Sequence, residues 1–189
     1  MKFTQDWFSH NISNFELIRK ILPERKRFLE IGSFEGRATV WMLQNMLDAD
    51  GHITCIDTFK GSEEHTILNL NSLETIFRQN ISEAKKTDQV VEVLPMTSYE
   101  GLGYLITQKE QYDFIYIDGS HTAFDVMTDA CMAFGLLKKG GIMLFDDYLW
   151  RDMPGVLHRP KLGIDLFLML FDEKVEIRLL GYQLGIVKL

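Results

Sequence analysis

Three short apolar runs in this chain each end in an acid. Ile53-Thr54-Cys55-Ile56 stops at Asp57, Phe114-Ile115-Tyr116-Ile117 at Asp118, and Gly141-Ile142-Met143-Leu144-Phe145 at Asp146-Asp147. Apolar runs of four or five residues, separated by helical stretches, read as buried parallel strands. In an open parallel sheet a ligand sits beyond the carboxyl ends of the strands. Asp118, Asp146 and Asp147 are therefore expected to face one crevice, with His121 just after the first. Adjacent carboxylates repel unless a cation or a proton offsets their charge.

The rest of the chain fits that sheet. Phe8, Ile12, Phe15, Ile18 and Leu22 recur at helical spacing, and Pro23 ends the helix. Strands are expected at 27–31, 53–56, 90–94, around 114, and at 142–145. Helices are expected after Gly36, at 73–84, near 99–107, at 123–138 and at 162–171. Lys138-Lys139 suits a negative helix end and Gly140-Gly141 a stop. Two further strands, 175–180 and 183–188, are joined by Gly181-Tyr182, so this pair reads as antiparallel. The expected fold is α/β: a doubly wound, mostly parallel seven-stranded sheet with a C-terminal antiparallel hairpin. At 189 residues one domain is expected over 1–189, with the N-terminal helix of 1–23 as a cap.

Charge and cysteine content narrow the function. A net charge of -7 disfavours a bulk grip on nucleic acid. No apolar run reaches the roughly 18 residues of a membrane span, and no secretory leader is expected. Cys55 and Cys131 read as buried thiols of a reducing compartment, so the cytoplasm is the expected location.

Two places can hold a ligand. After the first strand, Gly32-Ser33-Phe34-Glu35-Gly36 forms a glycine turn leading into a helix. Glycines there let a ligand approach the backbone; the plainer alternative is a tight turn that merely packs. Phe34 stands where a dinucleotide motif has its second glycine, so a nucleoside without phosphates fits better than a dinucleotide. Asp57, ending the second strand, can accept both ribose hydroxyls. The second place is the group of acids at Asp118, Asp146 and Asp147, where a helix-capping pair is the alternative for the last two.

Glu30-Ile31-Gly32-Ser33-Phe34-Glu35-Gly36, Asp57-Thr58-Phe59, Asp118-Gly119-Ser120-His121, Leu137-Lys138-Lys139-Gly140-Gly141 and Asp146-Asp147-Tyr148, in that order, resemble a class I S-adenosylmethionine-dependent methyltransferase. The resemblance is greatest to the small-molecule and sugar O-methyltransferases of the macrolide-sugar and cephalosporin-pathway group. It runs from about residue 26 to the end. It implies that Glu30 and the Gly32 backbone, within a turn that includes Ser33, Phe34 and Gly36, hold the methionine end of the donor. It implies that Asp57, with Thr58 beside it, holds the ribose, and that Met96, Thr97 and Ser98 flank the adenine. Asp118 would lie between donor and acceptor.

The layout of Asp118 and Asp146-Asp147 also resembles the divalent-cation site of catechol-type O-methyltransferases. Oxygen ligands in this number suit Mg²⁺, with Ca²⁺ or Mn²⁺ as alternatives. Those enzymes carry a lysine where this chain has His121, and the sugar enzymes an acid where it has Ser120. His121 is therefore the expected base, since an imidazole titrates near neutrality. The leading expectation is O-methylation of a small-molecule or sugar hydroxyl with cation assistance. A donor-binding protein or partner subunit that no longer transfers methyl is the alternative, and the glycine turn argues against a metal hydrolase. Acceptor choice would fall to the N-terminal helix, to the loops 58–72 and 148–160, or to a second subunit of a homodimer. Glu63, Glu64 and His65 are expected in a solvated loop or a lid. Asp152, His158 and Arg159 are candidate acceptor contacts.

Overall fold

The computed structural model describes residues 1–61 and 70–189, so Glu63, Glu64 and His65 lie outside the described residues. Seven strands form one sheet: β1 (Arg27–Ile31), β2 (His52–Ile56), β3 (Val90–Leu94), β4 (Tyr112–Ile117), β5 (Leu137–Phe145), β6 (Val175–Leu180) and β7 (Leu184–Lys188). Their order is β3-β2-β1-β4-β5-β7-β6. β1 to β5 pair in parallel, and β7 runs antiparallel to both β5 and β6. The order reverses between β1 and β4, so the crevice opens where those two strands diverge.

Among the described residues six α-helices cover the sheet: α1 (Ile12–Ile21), α2 (Arg37–Asn45), α3 (Leu73–Ala84), α4 (Ser98–Thr107), α5 (Ala123–Leu136) and α6 (Pro160–Phe171). Alternation along each strand divides the core in two. Phe28, Phe114, Tyr116 and Leu144 pack against α1, α2 and α3 through residues such as Phe15, Met42 and Phe77. Leu29, Ile31, Ile115, Met143 and Phe145 face α4, α5 and α6 through Leu102, Ala130 and Phe167. Both faces of the central strands are buried, which is why they read as unbroken apolar runs. α5 and α6 meet at Gly163, where a Cβ would stand 2.2 Å from the Ala123 carbonyl oxygen.

Several boundaries differ from the sequence reading, two of them for a reason visible in the side-chain contacts. The helix expected over 123–138 stops at Leu136, and Lys138-Lys139-Gly140-Gly141 belong to β5. Asp113 is the reason. It is buried in β4, accepts the backbone N–H groups of Lys26 and Arg27, and pairs with Lys138 Nζ at 2.5 Å. Lys138 is thereby drawn onto the sheet, and the pairing slips between Tyr112 and Phe114. The final strand begins at Leu184 rather than 183, because Gln183 remains in the link and sends its side chain elsewhere.

Candidate functional site

A cavity of about 770 Å³ lies at the carboxyl ends of β1, β2, β4 and β5. At one end it is walled by the turn after β1, and at the other by the acids after β4 and β5.

The turn end is made almost wholly by backbone. Gly32 has φ +82°, and a Cβ there would fall 1.9 Å from the Asp118 carbonyl oxygen, so only glycine fits between the two strand ends. Phe34 also takes a left-handed conformation, φ +48°. That posture is costly for a bulky residue. It is held by Asp57, whose Oδ2 accepts the N–H groups of Ser33 and Phe34, both at 2.7 Å, while Oδ1 accepts that of Phe59 at 2.6 Å. Beneath the turn, Glu30 is fully buried and accepts the hydroxyls of Ser33 (2.7 Å) and Thr39 (2.5 Å). Burial pushes Glu30 up to about 7.

Gly32, Ser33, Phe34, Asp57, Thr58, Met96, Ser98 and Asp118 all line the cavity. Glu30, Gly36 and Thr97 do not. Glu30 supports the turn from below. Gly36, φ +81°, lies over Phe77 and starts α2. Thr97 is exposed and caps α4, taking the Glu100 N–H at 3.3 Å while Glu100 returns to the Thr97 N–H at 3.1 Å. The N-terminal segment crosses this end: Thr4 donates to Glu35 from both N–H and hydroxyl, and the Trp7 ring stands 5.0 Å from that of Phe34.

The acid end is made of side chains from distant parts of the chain. Asp147, φ +54°, has its Oδ2 2.7 Å from His121 Nε2, and its Oδ1 accepts the Tyr182 hydroxyl at 2.8 Å. The His121 ring stacks on Trp150, centroids 4.4 Å apart. Asp118 Oδ2 lies 3.0 Å from the Tyr116 hydroxyl, which donates also to Asp146 Oδ2. Burial, and then the Asp146 and Asp147 carboxylates, hold Asp118 well above the usual carboxylate range. Among the described residues, atoms of Asp118, His121 and Asp147 come within 4.8 Å of one another, a grouping able to hold a metal ion.

Asp146, expected beside Asp118 and Asp147 as a ligand, is not in that group. It is buried, lines the cavity, and is engaged by neighbouring donors. Its carboxylate accepts Asn11 Nδ2 (3.2 and 3.1 Å), Gln183 Nε2 (3.1 Å), the Asp147 N–H (2.9 Å) and Tyr116. Ser120 turns to Asp125 at 2.7 Å, at the start of α5. Asp152 lines the cavity, whereas His158 and Arg159 do not. Tyr116, Tyr182, Gln183 and Asn11 escaped the sequence reading. The antiparallel register carried a signal for two of them: Phe145 pairs with Leu184, which sets Asp146 beside Gln183 and Asp147 beside Tyr182.

Residues 29–148 match the family described as "Methyltransferase domain". Tapetum-specific methyltransferase 1 of Arabidopsis thaliana is 29% identical over 126 residues, covering 66% of this chain and 48% of its own. The chain spans about half the length of the curated relatives it matches. Among solved structures, an O-methyltransferase from Bacillus cereus in complex with SAH gives a TM-score of 0.71 at 23% identity, over 98% of this chain and 84% of that one. The O-methyltransferase TomG from Streptomyces achromogenes, involved in tomaymycin synthesis and in complex with SAM, gives 0.67 at 18%, over 97% and 82%. Both share the fold of this chain.

Proposed function

The chain belongs to the methyltransferase-domain family, and on that premise we propose that it moves a methyl group from S-adenosylmethionine to a hydroxyl of a small molecule or sugar, assisted by a divalent cation. The observation that carries this reading is the single cavity joining the Gly32 turn to the Asp118–His121–Asp147 group. The two solved relatives bear SAH and SAM in the same fold.

In this reading the turn binds and the acids act. When bound, the donor supplies an electrophilic methyl group on its sulfonium. Gly32, with Asp57 bracing Ser33 and Phe34, offers close backbone approach to it, and Met96 and Ser98 line the cavity toward the base. The acceptor hydroxyl lies at the acid end. Asp147 Oδ2 engages His121 Nε2 and orients the imidazole, Trp150 fixes the ring plane, and the ring nitrogen that Asp147 does not engage takes the hydroxyl proton. Positioning supplies much of the remaining rate, since the donor is already reactive.

The acid end also fits a cation. Burial, and then the neighbouring carboxylates, raise Asp118, and a cation would offset both. Asp118 and Asp147 would hold it, and it would lower the pKa of an acceptor hydroxyl. His121 either completes the ligand group or serves as base, because a ring nitrogen that holds the cation cannot also take a proton. The net charge of -7 favours a small acceptor over nucleic acid, and no helix among the described residues is long and apolar enough to cross a membrane. Two free cysteines accord with a cytoplasmic setting.

Calorimetry with S-adenosylmethionine and its demethylated product, with and without Mg²⁺, tests the proposal. Binding of both nucleosides at micromolar concentration is expected, together with methyl transfer to a panel of sugar and phenolic hydroxyls that falls on chelation. Binding without transfer to any hydroxyl would favour the alternative, a donor-binding subunit. No binding of either nucleoside would sink both.

A further inference from the structure

Asp146 is a buried carboxylate whose hydrogen-bond donors are all neutral. Asn11 reaches both of its oxygens, Gln183 reaches Oδ1, and Tyr116 reaches Oδ2. Asn11 is itself 2% exposed, and Asn14 of α1 steadies Gln183 by donating to its Oε1 at 3.0 Å. So α1 and its first turn grip the acid from one side, and the β6–β7 link grips it from the other. A buried carboxylate with no cation beside it is retained only where its lone pairs are satisfied, and this one is.

The grip has a forward consequence. The Tyr116 hydroxyl, seated on Asp146, also stands 3.0 Å from Asp118 Oδ2. Position is therefore transmitted from Asn11 through Asp146 and Tyr116 to Asp118. The same segment is tied at its other end to the donor turn through Thr4 and Glu35, which keeps Asn11 from drifting.

We propose that Asn11 is a positioning residue of the acid end. Together with Gln183 it fixes Asp146 against Tyr116, so that Asp118 is held in place at the cavity wall. The proposal rests on the cation reading of Asp118, His121 and Asp147. Tyr116, directly behind Asp118, is the kind of partner commonly worth about 10- to 100-fold in metal affinity, and Asn11 acts through it.

The test titrates the full chain with Mn²⁺ alone, followed by paramagnetic resonance, and separately with S-adenosylhomocysteine by calorimetry. Asn11→Leu is expected to weaken Mn²⁺ binding about 10- to 100-fold and to leave nucleoside affinity within about twofold. Gln183→Leu, acting on the same acid from the opposite side, is expected to do the same. In an Asp146→Asn background, Asn11→Leu is expected to change nothing further, because the residue it works through is already disabled. Unchanged or tighter Mn²⁺ binding in Asn11→Leu overturns the proposal, as does equal loss of both ligands, which marks a structural role. An undiminished effect of Asn11→Leu in the Asp146→Asn background also overturns it. A native chain that binds the nucleoside but no Mn²⁺ removes the cation reading itself, whereas a native chain that binds Mn²⁺ as well as Asn11→Leu does removes this proposal alone.

Discussion

The two ends of the cavity are built on opposite plans. The turn end uses a short stretch of chain, residues 30–59, and its key contacts are backbone N–H groups on one carboxylate. The acid end draws Asn11, Tyr116, His121, Asp147 and Tyr182 from five separate places, and its contacts are nearly all between side chains. A backbone cradle depends on the shape of the chain. A side-chain cluster depends on which elements pack beside it. One end should therefore break by distortion and the other by deletion of single groups.

The strongest break is expected at Gly32→Ala. A methyl group there would meet the Asp118 carbonyl at 1.9 Å, on a residue at φ +82°. Backbone cannot yield as a flexible side chain does, so a loss of about 3–5 kcal/mol is expected, with nucleoside binding lost as well. Urea denaturation and calorimetry measure both, and an alanine variant of native stability would disprove the cradle.

Asp57→Ala and His121→Ala together sharpen the contrast. Asp57→Ala removes three hydrogen bonds from the turn, and S-adenosylhomocysteine affinity should fall about 10- to 100-fold. His121→Ala should leave that affinity within about twofold while methyl transfer falls about 10²- to 10⁴-fold. If both variants lost binding and transfer in the same ratio, the division between the two ends would be wrong.

The smallest effect concerns pH. Glu30 is pushed up to about 7 in the fold from 4.5. Between those values the folded chain keeps a proton there that the unfolded chain releases, so stability falls as pH rises through that window and levels off above it. At about 1.4 kcal/mol per pH unit the full drop is about 3 kcal/mol. Glu30→Gln should flatten that slope. Asp129, also pushed up to about 7 by burial, adds a parallel slope, so the quantity to compare is the difference between the native chain and the variant from pH 4.5 to 8. An unchanged slope would mean that Glu30 does not titrate in this range.

The contrast also explains what could be read from the sequence. The turn end was legible because its signal is local: glycines at fixed offsets after an apolar run, and an acid at the end of the next strand. The sheet, its hairpin and most element positions were legible for the same reason. The acid end was half legible. Asp118, His121 and Asp147 stand on strand ends that the apolar runs announce. That Asn11, Gln183 and Tyr116 engage Asp146 while His121 and Tyr182 engage Asp147 could not be read, because neighbouring residues differ only in what packs against them. Nothing local marks Asn11, which stands beside Ile12 of the apolar helix pattern, and its partner lies 135 positions further on. Lys138 misled for a related reason, since its partner Asp113 sits on another strand.

The place of β7 has a consequence for how the molecule comes into being. A domain folds as a unit, but its chain emerges from the ribosome with the earlier residues first. Asp57 can meet Ser33 and Phe34 once roughly a third of this sequence is made. Asp146 and Asp147 must wait for Gln183 and Tyr182, within the last eight residues, before their partners exist. The Asp57 turn thus has two of its partners made before it, whereas Asp146 and Asp147 gain Gln183 and Tyr182 only after the parallel strands exist.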